Sequence, residues 1–174
     1  MILETERLVL RPITHADAED IFEYAQNENV GPNAGWKPHG SIEETHEIID
    51  TVFSTENVFG IILRDTGKLI GSVGIIDDQK RENDEARMLG YSIGEAYWGQ
   101  GYMTEAARAL ITYGFDELNL ALISAYCYPH NTRSKSVLKK LGFQYEGTLA
   151  LGEKLYTGEI LAHDCFALLA KDRT

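Results

Sequence analysis

Residues 97–106 read Tyr97-Trp-Gly-Gln-Gly-Tyr-Met-Thr-Glu-Ala106, and the fold is read outward from them. An apolar, strand-like run from Met88 to Ile93 leads in, and an amphipathic helix pattern leads out from Tyr102. Gly99 and Gly101, one residue apart at this strand-to-helix junction, permit a tight turn and leave successive backbone N–H groups uncovered. Those donors stand at the positive end of the following helix, a receptacle for a phosphate or pyrophosphate. A Gly-x-Gly turn alone also fits a purely conformational role.

Absent residues narrow the anion. No Gly-Lys-Ser/Thr triplet follows Gly101, as a triphosphate-binding loop requires. Thr104 stands where a dinucleotide fingerprint has its third glycine. An acyl-coenzyme A fits and calls for a second motif downstream. That motif is the run Tyr126-Cys-Tyr-Pro-His-Asn-Thr-Arg-Ser-Lys-Ser-Val-Leu-Lys-Lys-Leu-Gly-Phe143, which reads as strand, loop, short helix and new strand. Asn131 is a good N-cap, Val137, Leu138 and Leu141 share one face, and Gly142 ends the helix.

Together, Trp-Gly-x-Gly-Tyr-x-Thr-Glu-Ala, Pro-His-Asn-x-x-Ser and Leu-Gly-Phe resemble the GNAT superfamily of acyl-CoA-dependent N-acyltransferases. The likeness is strongest to the ribosomal-protein N-terminal acetyltransferase (RimJ/RimL) branch. The opening Leu3-Glu-Thr-Glu-Arg-Leu-Val-Leu-Arg-Pro12 resembles that branch's first strand, so the likeness covers nearly the whole chain.

The bulk properties suit one compact domain over residues 1–174, long enough to bury a substantial core. No run approaches the roughly 20 apolar residues of a membrane-spanning helix. Acidic Glu4 and Glu6 replace the basic and apolar regions of a signal peptide. Cys127 and Cys165 lie far apart without metal-like spacing, so a reduced, cytoplasmic setting and no metal site are expected. Sixteen basic against 27 acidic residues give a net charge of −11, which disfavours nucleic acid and is compatible with cationic acceptors or simply with solubility.

Strands and helices alternate along the chain. Arg7 to Ile13 reads as the first strand, and Thr14 with Asp17 forms a capping box before a helix burying Ile21, Phe22 and Ala25. Residues 31–40 are a loop on their Gly and Pro content. Ser41 and Glu44 open a second helix with Thr45, Ile48, Ile49 and Val52 at helical spacing. Val58 to Leu63 and Leu69 to Ile76 form a hairpin around residues 65–67, and residues 77–87 are a turn. Then come a fourth strand (88–93), a third helix (102 to about 117) and a fifth strand (120–128). A fourth helix and closing strands near 144–149 and 155–168 complete the chain. The expected class is α+β: a mixed, mostly antiparallel twisted sheet with helices on both faces. The resemblance implies a GNAT-like sheet in which strands four and five run parallel and splay apart around the cofactor.

The resemblance also implies roles. Backbone groups of Tyr91, Ser92 and Ile93 would pair with the pantetheine arm, and one N–H would hold the developing oxyanion. Backbone groups of Gly99, Gln100, Gly101, Tyr102, Met103 and Thr104 would hold the pyrophosphate. Asn131 and Ser134 would approach from the other side, with Ser134 near the sulfur. Gln100 replaces a frequent Lys or Arg, Trp98 a common Arg or Gln, and Met103 a usual Gly or Ala whose larger side chain must turn away. Leu138 stands where many relatives place a general-acid tyrosine and Met88 where they often place a glutamate. Ser134 is therefore the better candidate acid, and the base stays open among Glu82, Glu85, His39, His130 and Asp164, directly or through water.

An α-amine, with a pKa of about 7.8, is roughly a quarter neutral near pH 7.4, against about one part in a thousand for a lysine amine. A site without an evident base thus suits an α-amine. Each residue also has a plainer reading. Ser134 can serve the first helical turn, His130 a loop, and Cys127 an inert core. Trp36 and His39 can line the acceptor pocket or simply anchor their loop. Glu105 can answer the helix dipole, and His163 and Asp164 can hydrogen-bond locally. The expected activity is acetyl-CoA-dependent N-acetylation by direct attack of a protein or peptide N-terminal α-amine. A small amine or polyamine as acceptor, or a CoA-binding protein with little catalysis, are the alternatives. Self-association as a homodimer is a further implication of the resemblance.

Overall fold

Leu8 and Leu10 face one apolar cluster while Val9 between them faces another, and this period of two sorts the whole N-terminal half. Ile61 and Ile70 join the first cluster, and their neighbours Ile62 and Leu69 join the second. The computed structural model describes residues 1–173. Its strands are β1 (Leu3–Glu4), β2 (Leu8–Arg11), β3 (Val58–Leu63), β4 (Leu69–Asp77), β5 (Ala86–Ile93), β6 (Leu122–Cys127), β7 (Gln144–Lys154) and β8 (Ile160–Leu169). The helices are α1 (Ala18–Ala25), α2 (Ile42–Ile48), α3 (Tyr102–Asp116) and α4 (Thr132–Lys140).

All eight strands form one sheet, ordered β1-β2-β3-β4-β5-β6-β8-β7. Neighbours are antiparallel except β5 and β6. The α1 residues Ala18, Ile21 and Ala25 pack on the face of Ile62 and Leu69, while α3 buries Ala106, Ala107, Leu110 and Ile111 on the other. The mixed, mostly antiparallel sheet with helices on both faces is as expected from the sequence.

The parallel pair makes the functional feature. β5 and β6 are in register only from Ala86↔Leu122 to Met88↔Ser124. Beyond Met88, β5 follows β4 as far as Ile93, while β6 follows β8 as far as Cys127. The strands expected fourth and fifth therefore part, leaving one edge of residues 89–93 without a partner strand.

Local signals account for several boundaries. The Thr14–Asp17 capping box is present, on a single 3-10 turn before α1. Ser41 Oγ accepts from the Glu44 N–H at 3.2 Å to open α2. Asn131 Oδ1 accepts from the Ser134 N–H at 3.1 Å to open α4, and Gly142, at φ 88°, ends it.

Other boundaries differ from expectation. The second helix widens into a π turn over Ile49–Phe53, which carries Val52 out to solvent while Ile49 stays buried. Tyr24 takes the buried place on α1 expected for Phe22, which is only half-buried. The 77–87 turn contracts because β4 runs to Asp77 and β5 starts at Ala86. The closing hairpin shifts most: β7 continues past Leu149 to Lys154 through an irregularity that holds Leu151 at φ 52°. Its turn lies at 155–159, with Gly158 at φ 90°. Among the described residues no helix is long and apolar enough to cross a membrane.

Candidate active site

The space between the parted strands is a cavity of about 200 Å³. Tyr91, Ser92 and Ile93 form one wall, the 99–104 turn its floor, and Asn131, Ser134 and Val137 of α4 the other wall. The residues expected to serve one ligand are thus brought together, with one exception. Gln100 does not border the cavity: its side chain donates to the Ala96 carbonyl at 2.8 Å, and its own carbonyl accepts from Arg7 Nη1 at 3.0 Å.

The turn has the geometry an anion needs. Gly99 and Gly101 sit at φ 74° and 82°, left-handed values that aim successive amides to one side. Gly101 is the N-cap of α3 and has no side chain to cover the helix end. Met103 is buried in the core, turned away from the loop as its size demands. Trp98 Nε1 donates to the Ile93 carbonyl at 3.0 Å, so that carbonyl is already engaged. The Arg133 guanidinium lies 3.8 Å over the Trp98 ring and links α4 to the segment that leads into the glycine turn.

Positive charge continues beyond the floor. Lys140 borders both this cavity and a hollow of about 550 Å³ lined by Arg7, Arg108 and Thr104. Arg7 is committed to Glu105, which accepts from its Nε at 2.7 Å and from Thr5 Oγ1 at 2.6 Å. Glu105 thus ties α3 to the N-terminal segment, a role beyond the helix dipole. Burial opposes its ionisation, yet the hydrogen bonds from Thr5 and Arg7 outweigh burial and hold its pKa below the usual glutamate value.

Ser134 marks the far end. Its Oγ lies 2.7 Å from Tyr91 Oη, across the gap between α4 and β5. Burial pushes the Tyr91 hydroxyl pKa up, outweighing the opposing bond to Ser134, so Tyr91 stays protonated. Asn131 has both ends of its amide engaged: Oδ1 on the Ser134 N–H, and Nδ2 donating to the Asn33 carbonyl at 3.3 Å. It positions Ser134 and pins the 31–34 segment. Leu138, at the usual place of a tyrosine acid, is fully buried.

A second cavity, about 350 Å³, opens behind Ser134 and shares Tyr91, Asn131 and Ser134 with the first. Its walls hold Glu153 on β7, among the described residues the one carboxylate side chain bordering either cavity. Glu153 Oε2 accepts from Tyr128 Oη at 2.8 Å and from His163 Nε2 at 2.9 Å. The carboxylate places the imidazole proton on Nε2, and Nδ1 is buried without a partner among the described residues. Glu153 Oε1 has no hydrogen bond from the described residues. Gly35, at φ 88°, passes so close that a Cβ there would stand 3.1 Å from this oxygen. Tyr126, His163, Tyr128 and His130 stack in series along one side, with ring centres 6.1, 5.4 and 5.7 Å apart.

None of the bases left open by the sequence borders either cavity. Glu82 and Glu85 are exposed on the β4–β5 turn, and His130 is exposed on its stack. Asp164 is paired with Lys135 at 2.6 Å and accepts from Thr148 at 2.6 Å. His39 is buried, 2.9 Å from Thr45 Oγ1, and its ring centre is 5.3 Å from that of Trp36. Trp36 packs on Gly31, where a Cβ would clash at 2.6 Å. Trp36 and His39 therefore anchor their loop and border neither cavity. Cys127 does border the second cavity, but burial raises its thiol pKa to about 11, so it is protonated and inert. Sequence reasoning missed Glu153, Tyr128, Arg133 and Lys140. Glu153 was hidden because it falls between the closing strands expected near 144–149 and 155–168.

Comparison with known proteins agrees with this geometry. A family model described as an acetyltransferase (GNAT) domain matches residues 7–144. The chain is 36% identical to the uncharacterized N-acetyltransferase p20 of Bacillus licheniformis, over 98% of this chain and 97% of that one. It is 32% identical to the ribosomal protein uS5-alanine N-acetyltransferase of Escherichia coli, over 99% and 92%. A GNAT-family acetyltransferase structure from Bacillus anthracis aligns with a TM-score of 0.87 at 27% identity, covering 98% of this chain and 99% of that one. A cleft between parted parallel strands, floored by a glycine turn and matched over most of the chain, makes this protein a member of the GNAT acetyltransferase family and an acyltransferase.

Proposed function

We propose that the chain transfers the acetyl group of acetyl-CoA directly to the α-amine of a peptide or protein N terminus. One observation carries the reading: Ser134 Oγ stands where the two cavities meet, and the second cavity contains a carboxylate with a free oxygen, Glu153. The fit to acetyl-CoA rests on the uncovered amides at Gly99 and Gly101, with Lys140 and Arg108 beside them for phosphate charge. The free edge of residues 89–93 suits the pantetheine amides, the Ile93 carbonyl excepted.

When bound, acetyl-CoA supplies an activated carbonyl and a thiolate leaving group. Glu153 Oε1 accepts the proton of the incoming ammonium, while Tyr128 and His163 hold the other oxygen still. Tyr91, kept protonated by burial, lies within hydrogen-bonding distance of Ser134 Oγ. With the tyrosine donating, the serine proton passes to the departing sulfur. The second proton, shed by the acylated nitrogen, restores the serine hydroxyl, and Glu153 returns the first to solvent. A backbone N–H on the free edge of β5 stabilises the oxyanion. No covalent enzyme intermediate is needed, because the cavities let amine and thioester meet directly.

The relative named for uS5-alanine acetylation supports an N-terminal α-amine. So does chemistry: an α-amine needs far less deprotonation near neutral pH than a lysine amine. The test is a thiol-release assay with acetyl-CoA and peptides opening on Ala or Ser, against polyamines and Nα-blocked lysine peptides. Peptide turnover is expected, with Ser134→Ala lowering kcat about 100-fold while the acetyl-CoA Kd stays within about twofold. Turnover of blocked lysine or polyamines alone would overturn the α-amine reading.

A further inference from the structure

Among the described residues, the acidic and basic side chains bordering the acceptor cavity are the Glu153 carboxylate and the Lys80 ammonium, with the His163 imidazole between them along the wall. Lys80 lies on the β4–β5 turn, where its Nζ sits 4.3 Å over the centre of the Tyr126 ring. Tyr126 is itself fixed, its hydroxyl donating to Asp78 Oδ2 at 2.8 Å and Oδ1 at 3.0 Å, beside Ser124 Oγ on the same carboxylate. Lys80 is exposed to solvent, and its ammonium rests on this fixed aromatic ring at the rim of the cavity. Nearby cations are already paired, Arg81 with Asp78 and Glu146, and Arg87 with Asp77. Lys80 makes no ion pair with the described residues.

The aromatic wall sets the separation of the two charges. From Lys80 the wall runs through Tyr126 to His163, ring centres 6.1 Å apart, and His163 ends on Glu153. If Glu153 receives the amine, Lys80 faces a part of the acceptor several bonds further on. The α-carboxylate of a free amino acid, one carbon from its amine, is too close to span that wall. A carboxylate on the side chain of the first or second residue has the reach.

We propose that Lys80 selects acceptors carrying a carboxylate on the residue that bears the α-amine or on the next one. This rests on the α-amine reading above and narrows it. The protein's net charge of −11 would by itself favour cationic acceptors. A single unpaired lysine at the cavity wall reverses that preference locally, by pairing with the right acceptor and repelling a lysine in its place.

The experiment compares kcat/KM for peptides Ala-Glu, Ala-Gln and Ala-Lys with a common remainder, and for free glutamate against glutamine. The wild type is expected to favour Ala-Glu over Ala-Gln about three- to tenfold, with Ala-Lys poorest. Lys80→Glu should invert the order of Ala-Glu and Ala-Lys. Lys171→Glu, the same charge change at a lysine that borders none of the cavities, should leave the order intact. Acetyl-CoA affinity should not change in either variant. A glutamate-over-glutamine preference without a peptide preference assigns the carboxylate to a small molecule, and the reverse assigns it to a peptide. Equal rates for the three peptides together with equal rates for glutamate and glutamine, or an equal loss on every acceptor in Lys80→Glu, overturns the selection while leaving acyl transfer intact. Acetyl-CoA binding without turnover of any α-amine overturns the function itself.

Discussion

Glu153 combines two properties a proton acceptor needs: one oxygen held by two donors, and a second without a hydrogen bond from the described residues, on a side chain that borders the cavity. Replacement by glutamine keeps the shape and still offers an oxygen to Tyr128 and His163, so Glu153→Gln should fold. It cannot take the ammonium proton, and at neutral pH kcat/KM should fall about 100-fold. The deficit should shrink as pH rises past about 8, because the α-amine then sheds its proton unaided. Ser134→Ala should show no such recovery, since its proton serves the leaving sulfur. A pH series of both variants on one peptide separates the roles, and a Glu153→Gln deficit constant from pH 7 to 9 would make the residue structural. Ser134 was legible from its spacing to Asn131, a local relation within one helical turn. Glu153 was not: its partners Tyr128 and His163 are 25 and 10 residues away and meet it only because β8 pairs with β6 on one side and β7 on the other.

At the scale of elements, local chemistry marked helix starts well and strand ends poorly. Thr14, Ser41, Asn131 and Gly142 announce their boundaries through hydrogen bonds or backbone angles of their own neighbourhood. The extension of β7 to Lys154 depends instead on pairing with β8, and the π turn after α2 leaves Val52 in solvent against its apolar spacing. The parting of β5 from β6 is likewise a tertiary event, legible only through the family likeness. The glycine turn allows a test at this scale. Gly101→Ala places an L residue at φ 82°, with its Cβ 3.4 Å from Arg7 Nη2. Gly67→Ala, in the β3–β4 turn, meets similar strain at φ 73° with nothing within 4 Å. Each should destabilise the fold by about 1 to 2 kcal/mol. Only Gly101→Ala should also weaken acetyl-CoA, about tenfold, by displacing amides from the phosphates. Melting curves and calorimetry read both effects, and unchanged affinity in Gly101→Ala would remove the turn from the cofactor site.

Across the whole molecule, carboxylates that are buried (Asp17, Asp78, Asp164) or half-buried (Glu105) join different segments of the chain. Asp17 links α1 to Arg11, Asp78 links the end of β4 to β6, Glu105 links α3 to Thr5 and Arg7, and Asp164 links β8 to α4. At each, burial opposes ionisation, but hydrogen bonds and nearby cations outweigh it and lower the pKa. The unfolded chain then takes up these protons first, so their contribution is present above about pH 4 and lost as pH falls below it. The hydroxyls of Tyr91 and Tyr128 are raised by burial, as is Tyr126, to about 12, and the Cys127 thiol, to about 11. A raised pKa has the opposite sign: the contribution holds below the unfolded values, about 8.5 for Cys and 10 for Tyr, and is lost as pH rises through the folded ones. His39 shapes the middle of the curve. Burial lowers its pKa against the weaker pull of Glu44, so the unfolded chain protonates first, and stability falls as pH drops below about 6.5. The melting temperature should therefore be flat from about pH 7 to 8.5 and decline on both sides. His39→Gln can still bond Thr45 but binds no proton, so it should flatten the fall between about pH 6.5 and 5 and leave the steeper loss below pH 4 in place. Melting temperatures of the two proteins across that range decide it. Parallel curves would mean that the buried histidine contributes nothing to the acid side, and that the four carboxylates alone govern it.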